Sequence, residues 1–150
     1  MIKKIMVAYD GGDQAQLALD NAISMSKCMG AEIYLVTIFN PFSIFHSFES
    51  SDPNFVNEAM AKDRKELDDM ISQAVKKAED QGIKVKVQVI EDKPGLARIG
   101  PTLVNYAEAN NIDIMVMGRR TKSGLSRLVL GSVSNYVIQA AHCSVMFVKD

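Results

Sequence analysis

Ile5-Met6-Val7-Ala8-Tyr9-Asp10-Gly11-Gly12 is a short apolar run closed by an acid and two glycines. A run of that kind suits a strand buried on both faces of a sheet. A helical pattern follows at once. Ala15, Ala18, Leu19 and Ala22 recur at i, i+3, i+4 and i+7, and Gly30 supplies the stop. Ile33 to Phe39 then reads as a second buried strand. Strand, helix and strand in this order make the unit from which parallel sheets are built, through right-handed crossovers.

The alternation continues to the end of the chain. After a longer connection, Asp52-Pro53 marks a helix start, with Asp52 as cap and Pro53 at the first helical position. Leu67, Met70, Ile71, Ala74, Val75 and Ala78 form its apolar stripe, Lys62, Arg64, Lys65, Asp68 and Lys76 its solvated face, and Gly82 its end. Ile83, Val85, Val87 and Val89 alternate with Lys84, Lys86 and Gln88, which predicts a half-exposed strand at a sheet edge. Gly100-Pro101 opens a third helix, carrying Leu103, Tyr106 and Ala107 and ending near Asn110-Asn111. Ile112 to Met117 is a fourth strand, closed by Gly118. Ser132 is expected to cap a last helix, with Val133, Tyr136, Val137, Ala140 and Ala141 on one face, before a final strand at Val145 to Val148. The expectation is an α/β fold: a doubly wound parallel sheet of five strands, sandwiched by four helices.

Composition narrows the function classes. At 150 residues, 47% of them hydrophobic, the chain fits one domain over 1–150 that needs no disulfide or metal staple. The formal net charge of −1 lacks the basic excess of duplex nucleic-acid binders. No apolar run approaches the roughly 20 residues of a membrane span, and the apolar start is too short for a signal peptide. The expected location is the cytoplasm. Cys28 and Cys143 are far apart, outside any CxxC and in apolar surroundings, so they read as buried, reduced thiols. His46 and His142 share no metal-ligand spacing with each other or with the cysteines, and no protein metal ligand is assigned. The nine methionines, Met6, Met70, Met115, Met117 and Met146 among them, read as core filler.

In a doubly wound sheet, ligands bind beyond the carboxyl ends of the strands where the strand order reverses. Two of the loops at that edge look specialised. The one after the fourth strand is Gly118-Arg119-Arg120-Thr121-Lys122-Ser123-Gly124-Leu125-Ser126-Arg127, running on through Leu128-Val129-Leu130 to Gly131-Ser132. No acid lies between Asp113 and Asp150, so this stretch is locally basic. It leads into a helix N-terminus, where free N–H groups and the positive dipole end favour an anion. Gly131 would let a phosphate approach the backbone, and Ser132 and Ser134 add hydroxyls. The plainer alternative is a surface loop whose Ser132 only caps a helix. In the other loop, Asp10-Gly11-Gly12-Asp13, the Asp10 carboxylate can accept from a ribose hydroxyl. The plainer alternative there is a helix-entry turn with Asp13 as cap. There is no GxGxxG, and Gly95 to Gly100 has a P-loop's glycine spacing but Pro101 where lysine is required. No Ser-His-acid or Cys-His set assembles, and no evident general base for phosphoryl transfer is present.

The whole chain resembles the universal stress protein family. Ile5 to Gly11, Met117-Gly118, Val133-Ser134-Asn135-Tyr136-Val137 and Ala141-His142-Cys143-Ser144-Val145 are family-like. The sharpest part is the family's nucleotide motif, Gly, two residues, Gly, nine residues, Gly, then Ser or Thr. Gly118, Gly131 and Ser132 keep its spacing, while Thr121 stands at its second glycine. The resemblance implies a Rossmann-like, adenine nucleotide alpha hydrolase-like fold that binds ATP or another adenine nucleotide, with magnesium held through the phosphates. It also implies a homodimer joined along the last strand, Val145 to Val148. By resemblance Asp10 would hold ribose or adenine, Ala8 and Ile38 would border the base, and Met117 and Gly118 would line base and ribose. Thr121, Gly131, Ser132, Val133 and Ser134 would wrap the phosphates, with Arg120 and Lys122 neutralising their charge. Such a protein is a nucleotide-binding regulator with slow or no hydrolysis, free of nucleic acid and membrane and open to a protein partner. Two alternatives stand: an interaction protein with a vestigial pocket, for which Thr121 is the evidence, and, more remotely, a weak nucleotide hydrolase.

One feature stands outside this scheme. Phe39, Phe42, Phe45 and Phe48 recur every three residues. They suit a lid over the base or a partner surface, or else a helical turn folded back on its own domain.

Overall fold

The computed structural model describes residues 1–39, 52–91, 98–119 and 131–149. Its elements are β1 (Lys4–Ala8), α1 (Asp13–Met29), β2 (Glu32–Phe39), α2 (Pro53–Glu79), β3 (Val85–Glu91), α3 (Ile99–Ala109), β4 (Ile114–Gly118), α4 (Ser132–Ala140) and β5 (Ser144–Val148). All strand pairs are parallel, in the order β3-β2-β1-β4-β5. The chain builds from β1 towards β3, then returns to the other side of β1 for β4 and β5. The reversal therefore lies between β1 and β4, and the five-stranded α/β expectation holds.

Both faces of the sheet are packed. Ile5, Val7, Ile33, Leu35 and Val116 join Leu19 and Ile23 of α1 and Leu67 and Ile71 of α2 in one core layer. Met6, Val36, Met115 and Met117 join Leu103 and Val104 of α3 and Val137 of α4 in the other. Burying a side chain of this size is worth about 1.5–3 kcal/mol, so the central strands carry much of the stability. The outer strand β3 exposes Lys86, Val87 and Gln88, as an edge strand should. Lys86 bonds Glu32 at 3.0 Å, and that ammonium holds the Glu32 carboxyl below its ordinary range.

The helix ends follow local chemistry. Gly30 closes α1 at φ 66°, a left-handed conformation that glycine adopts without strain. Asp52 caps α2 by accepting from the Asn54 N–H at 3.0 Å, with Pro53 first in the helix. At two other helix starts a glycine holds the cap position, in place of the Asp13 of the plainer alternative and of the expected Ser132. Gly12 caps α1, leaving Asp13 as its first residue. Gly131 caps α4, and Ser132 is already helical with no capping side-chain bond.

Burial corrects further expectations. Tyr136 is 42% exposed and stands at the contact of α4 with α3 rather than on the inner face of α4, where Ser134 and Val137 are buried. A Cβ on Gly100 would come within 3.0 Å of Tyr136, so the two helices meet closely there. Cys28 is exposed near the end of α1, and Cys143 is half-buried; both are free thiols. Burial pushes the Cys143 thiol up, which disfavours the reactive thiolate. Met6, Met115 and Met117 are buried, and Met70 and Met146 pack against the core. Among the described residues no helix is long and apolar enough to cross a membrane.

Candidate functional site

The reversal point opens because β1 and β4 part. They pair in register up to Ala8 opposite Met117. Beyond that each bonds outward. The Tyr9 N–H donates to Val36 O on β2 at 2.9 Å, and the Thr37 hydroxyl donates to Tyr9 O at 2.9 Å. On the other side the Arg119 N–H donates to Val148 O on β5 at 2.8 Å. Two adjacent strands whose ladder stops while each is held by its outer neighbour leave a crevice between them.

The first turn of α1 enters that crevice. A Cβ on Gly118 would lie 2.5–2.6 Å from Gln14 C and O, which no side chain tolerates. Gly118 is therefore required by the approach of α1, before any ligand is considered. Above it, Asp10 makes the turn: its Oδ1 accepts from the Gly12 N–H at 3.0 Å. Gly11 takes φ 79°, the left-handed region that favours glycine. Tyr9, beneath the loop, is buried and its hydroxyl accepts from the Gln16 amide. Burial raises that hydroxyl above its ordinary value, with a smaller opposing pull from Gln16, so it stays neutral.

One wall of the crevice is apolar. Ala8 and Ile38, both half-buried, pack with buried Met117 and with Val133 of α4 in the second core layer. Ile38 lies two residues beyond Val36 on β2, at the level where β1 has already turned into Asp10. Beside that wall stands the α4 N-terminus. Gly131 has ordinary backbone angles (φ −62°, ψ 162°), and a Cβ there would meet no described atom within 4 Å. Neither strain nor packing among the described residues asks for glycine at that position. Ser132 is exposed, whereas Ser134 is 92% buried from the same turn.

The structure thus gathers Ala8, Asp10, Ile38, Met117, Gly118, Gly131, Ser132, Val133 and Ser134 at the carboxyl edge around the reversal. Arg120 and Thr121 lie outside the described residues, as do Lys122 and Phe42, Phe45 and Phe48. Of the phenylalanine series only Phe39 is described, and it packs against the first core layer. Sequence reasoning missed Gln14, whose backbone sets the need for Gly118, and Met70, which touches Gly11. Neither signal is local, since both are approaches between elements distant in the chain.

The model of the universal stress protein family matches residues 1–149. The chain belongs to the universal stress protein family. The universal stress protein MJ0531 of Methanocaldococcus jannaschii is 30% identical to it over 149 residues, covering 99% of this chain and 83% of that one. The solved structure of protein MJ0577 of the same organism is 29% identical and superposes with a TM-score of 0.76, covering 100% of this chain and 97% of that one. A universal stress protein of Archaeoglobus fulgidus, solved in complex with dAMP, is 20% identical with a TM-score of 0.65, covering 99% and 98%. At that identity the likeness extends to the fold.

Proposed function

We propose that this universal stress protein binds an adenine nucleotide, ATP with magnesium foremost, in the crevice between β1 and β4. It would act as a regulatory binding protein with slow or no hydrolysis. The observation that carries the reading is the parting of β1 and β4 beyond Ala8 and Met117. It leaves an apolar wall suited to a purine and, beside it, a helix N-terminus suited to phosphates. In this reading Ala8, Ile38 and Met117 border the base, and the Asp10 carboxylate accepts from ribose or the base amino group. Gly131 and Ser132 receive the phosphates, with Val133 and Ser134 behind them, while Arg120, Thr121 and Lys122 complete the phosphate side. Gly131 supports this, since no described residue stands within 4 Å of a Cβ built there to cover the backbone N–H groups. The dAMP-bound relative lends the family-level precedent.

We further propose a cytoplasmic homodimer joined through β5. This end strand keeps Val145, Met146 and Phe147 only half-buried within one chain. Binding without turnover follows from the groups present: cationic and N–H donors stabilise a bound phosphate, but rate needs contacts made only in the transition state.

The test is to denature the purified protein and resolve the released small molecules by anion exchange, then titrate the emptied protein with Mg-ATP and Mg-GTP. Release or binding of an adenine nucleotide, with affinity at least tenfold lower in Asp10→Ala, supports the reading. A clean supernatant and no binding at millimolar nucleotide would overturn it.

A further inference from the structure

The longest helix sits on the sheet face opposite the apolar wall, yet it contacts both the loop after β1 and the ends of β2 and β3. Its carboxyl half is anchored: Leu67, Ile71, Ala74 and Ala78 are buried in the first core layer. At 27 residues, and about 1.5 Å per residue, α2 is far longer than the strands of five to eight residues that it crosses.

The first contact is Met70 with the loop after β1. A Cβ built on Gly11 would fall 2.3 Å from Met70 Sδ and 2.9 Å from its Cγ. The thioether is therefore seated directly on the Gly11 α-carbon, one residue from Asp10 and within the turn that the Asp10 carboxylate closes. An unbranched, polarisable side chain fits such a narrow gap. The second contact is Arg64. Its Nη1 donates to Glu91 Oε1 at 2.9 Å, and its guanidinium stands 5.5 Å over the Phe39 ring. Phe39 and Glu91 are cross-strand partners at the ends of β2 and β3. They follow Ile38 and Ile90, which point to the opposite face and pack into the layer that walls the crevice.

We propose that Met70 and Arg64 are positioning residues for the nucleotide site. Through them α2 sets both the Asp10 loop and the strand ends that carry the base wall, so that occupancy of the crevice and the packing of residues 53–66 are coupled. This rests on the nucleotide-binding reading above. Neither residue touches the ligand. Each acts through a neighbour: Met70 through Gly11, Arg64 through Phe39 and Glu91. Coupling between sites is reciprocal. A nucleotide that holds Asp10 and Ile38 in place must also favour the α2 position that grips them, and loosening that grip must weaken the nucleotide by the same factor.

The experiment uses the full chain, with Mg-ATP as probe, in wild type, Met70→Ala, Arg64→Gln and Leu67→Ala. Leu67 is buried in the first core layer between the two contact residues, so its truncation lowers stability while leaving the Met70 and Arg64 side chains themselves in place. Three quantities are read: affinity for Mg-ATP, the urea midpoint without nucleotide, and amide exchange over residues 53–66 with and without Mg-ATP. The expected result is that Mg-ATP slows exchange at 53–66 in wild type and in Leu67→Ala. Met70→Ala should bind about tenfold more weakly, within the usual range of coupling between sites, and lose that slowing. Arg64→Gln should show the same pattern to a smaller degree. Unchanged affinity in both site-side variants overturns the proposal. So does slowing that persists in Met70→Ala, or equal loss in Leu67→Ala, because a purely structural role would give either. Mg-ATP binding by wild type with no change at 53–66 overturns the coupling alone, whereas no binding by wild type overturns the nucleotide reading and the coupling with it.

Discussion

The same two strands, β1 and β4, end in opposite ways. At their amino ends they are stitched together. Asp113, just before β4, accepts from the Lys3 and Lys4 N–H groups at 2.7 and 2.9 Å through one carboxylate oxygen. Its own N–H donates to Lys4 O at 3.1 Å, and its carbonyl accepts from the Ser144 N–H at the start of β5. Lys4 Nζ adds a bond to Asn110 O at 2.8 Å. One residue so ties three strands. At their carboxyl ends the strands separate, each bonding its outer neighbour, and α1 and α4 offer their N-termini. The closed end fixes the register and the open end offers the proposed ligand site, so mutations at the two ends should separate stability from binding.

Three substitutions sharpen that division, taken in order of their effect on folding. Gly118→Val sets a branched side chain against the Gln14 backbone and should cost about 2–3 kcal/mol, as overpacking does. Urea denaturation reads it directly, and a cost near zero would mean that α1 does not enter the crevice as described. Asp113→Asn acts at the closed end. The Lys3 and Lys4 N–H groups hold the Asp113 carboxyl below its ordinary range. A depressed folded value gives stability that is present above the unfolded-state pKa and lost as pH falls through the folded one. Wild type should therefore melt higher than Asp113→Asn at neutral pH, with the gap closing in acid below the ordinary carboxylate range. A gap independent of pH would show that the carboxylate charge is not what ties the strands. Gly131→Arg comes last. Its Cβ meets no described atom within 4 Å and the backbone angles are ordinary, so stability should stay within about 0.5 kcal/mol of wild type. Its whole effect should fall on the ligand.

These cases also mark what the sequence makes legible. The order of elements, the edge position of β3 and the Asp52 cap are local signals, readable from alternation, period and cap chemistry. So was the carboxyl-edge position of the loops that follow β1 and β4, because it follows from connection rules. The two caps at Gly12 and Gly131 were displaced by one residue, since Asp13 and Ser132 have capping side chains but a preceding glycine holds the extended cap conformation. Cys28 was expected inside because its neighbours are apolar, yet its position on α1 turns it outward. The hidden features were all long-range: the Asp113 clamp, Met70 against Gly11, and the reason for Gly118. The motif glycines illustrate this best. Gly118 and Gly131 look alike in sequence, but the fold itself requires the first, whereas no described neighbour constrains the second.

That contrast supplies the most direct test of the central claim, that the open end of the β1–β4 pair is the nucleotide site. Mg-ATP would be titrated calorimetrically into wild type and Gly131→Arg, with both proteins shown to unfold at the same urea concentration. Saturable binding to wild type, lost in Gly131→Arg, is the predicted result. Equal affinity in the two proteins would place the nucleotide elsewhere and contradict the account.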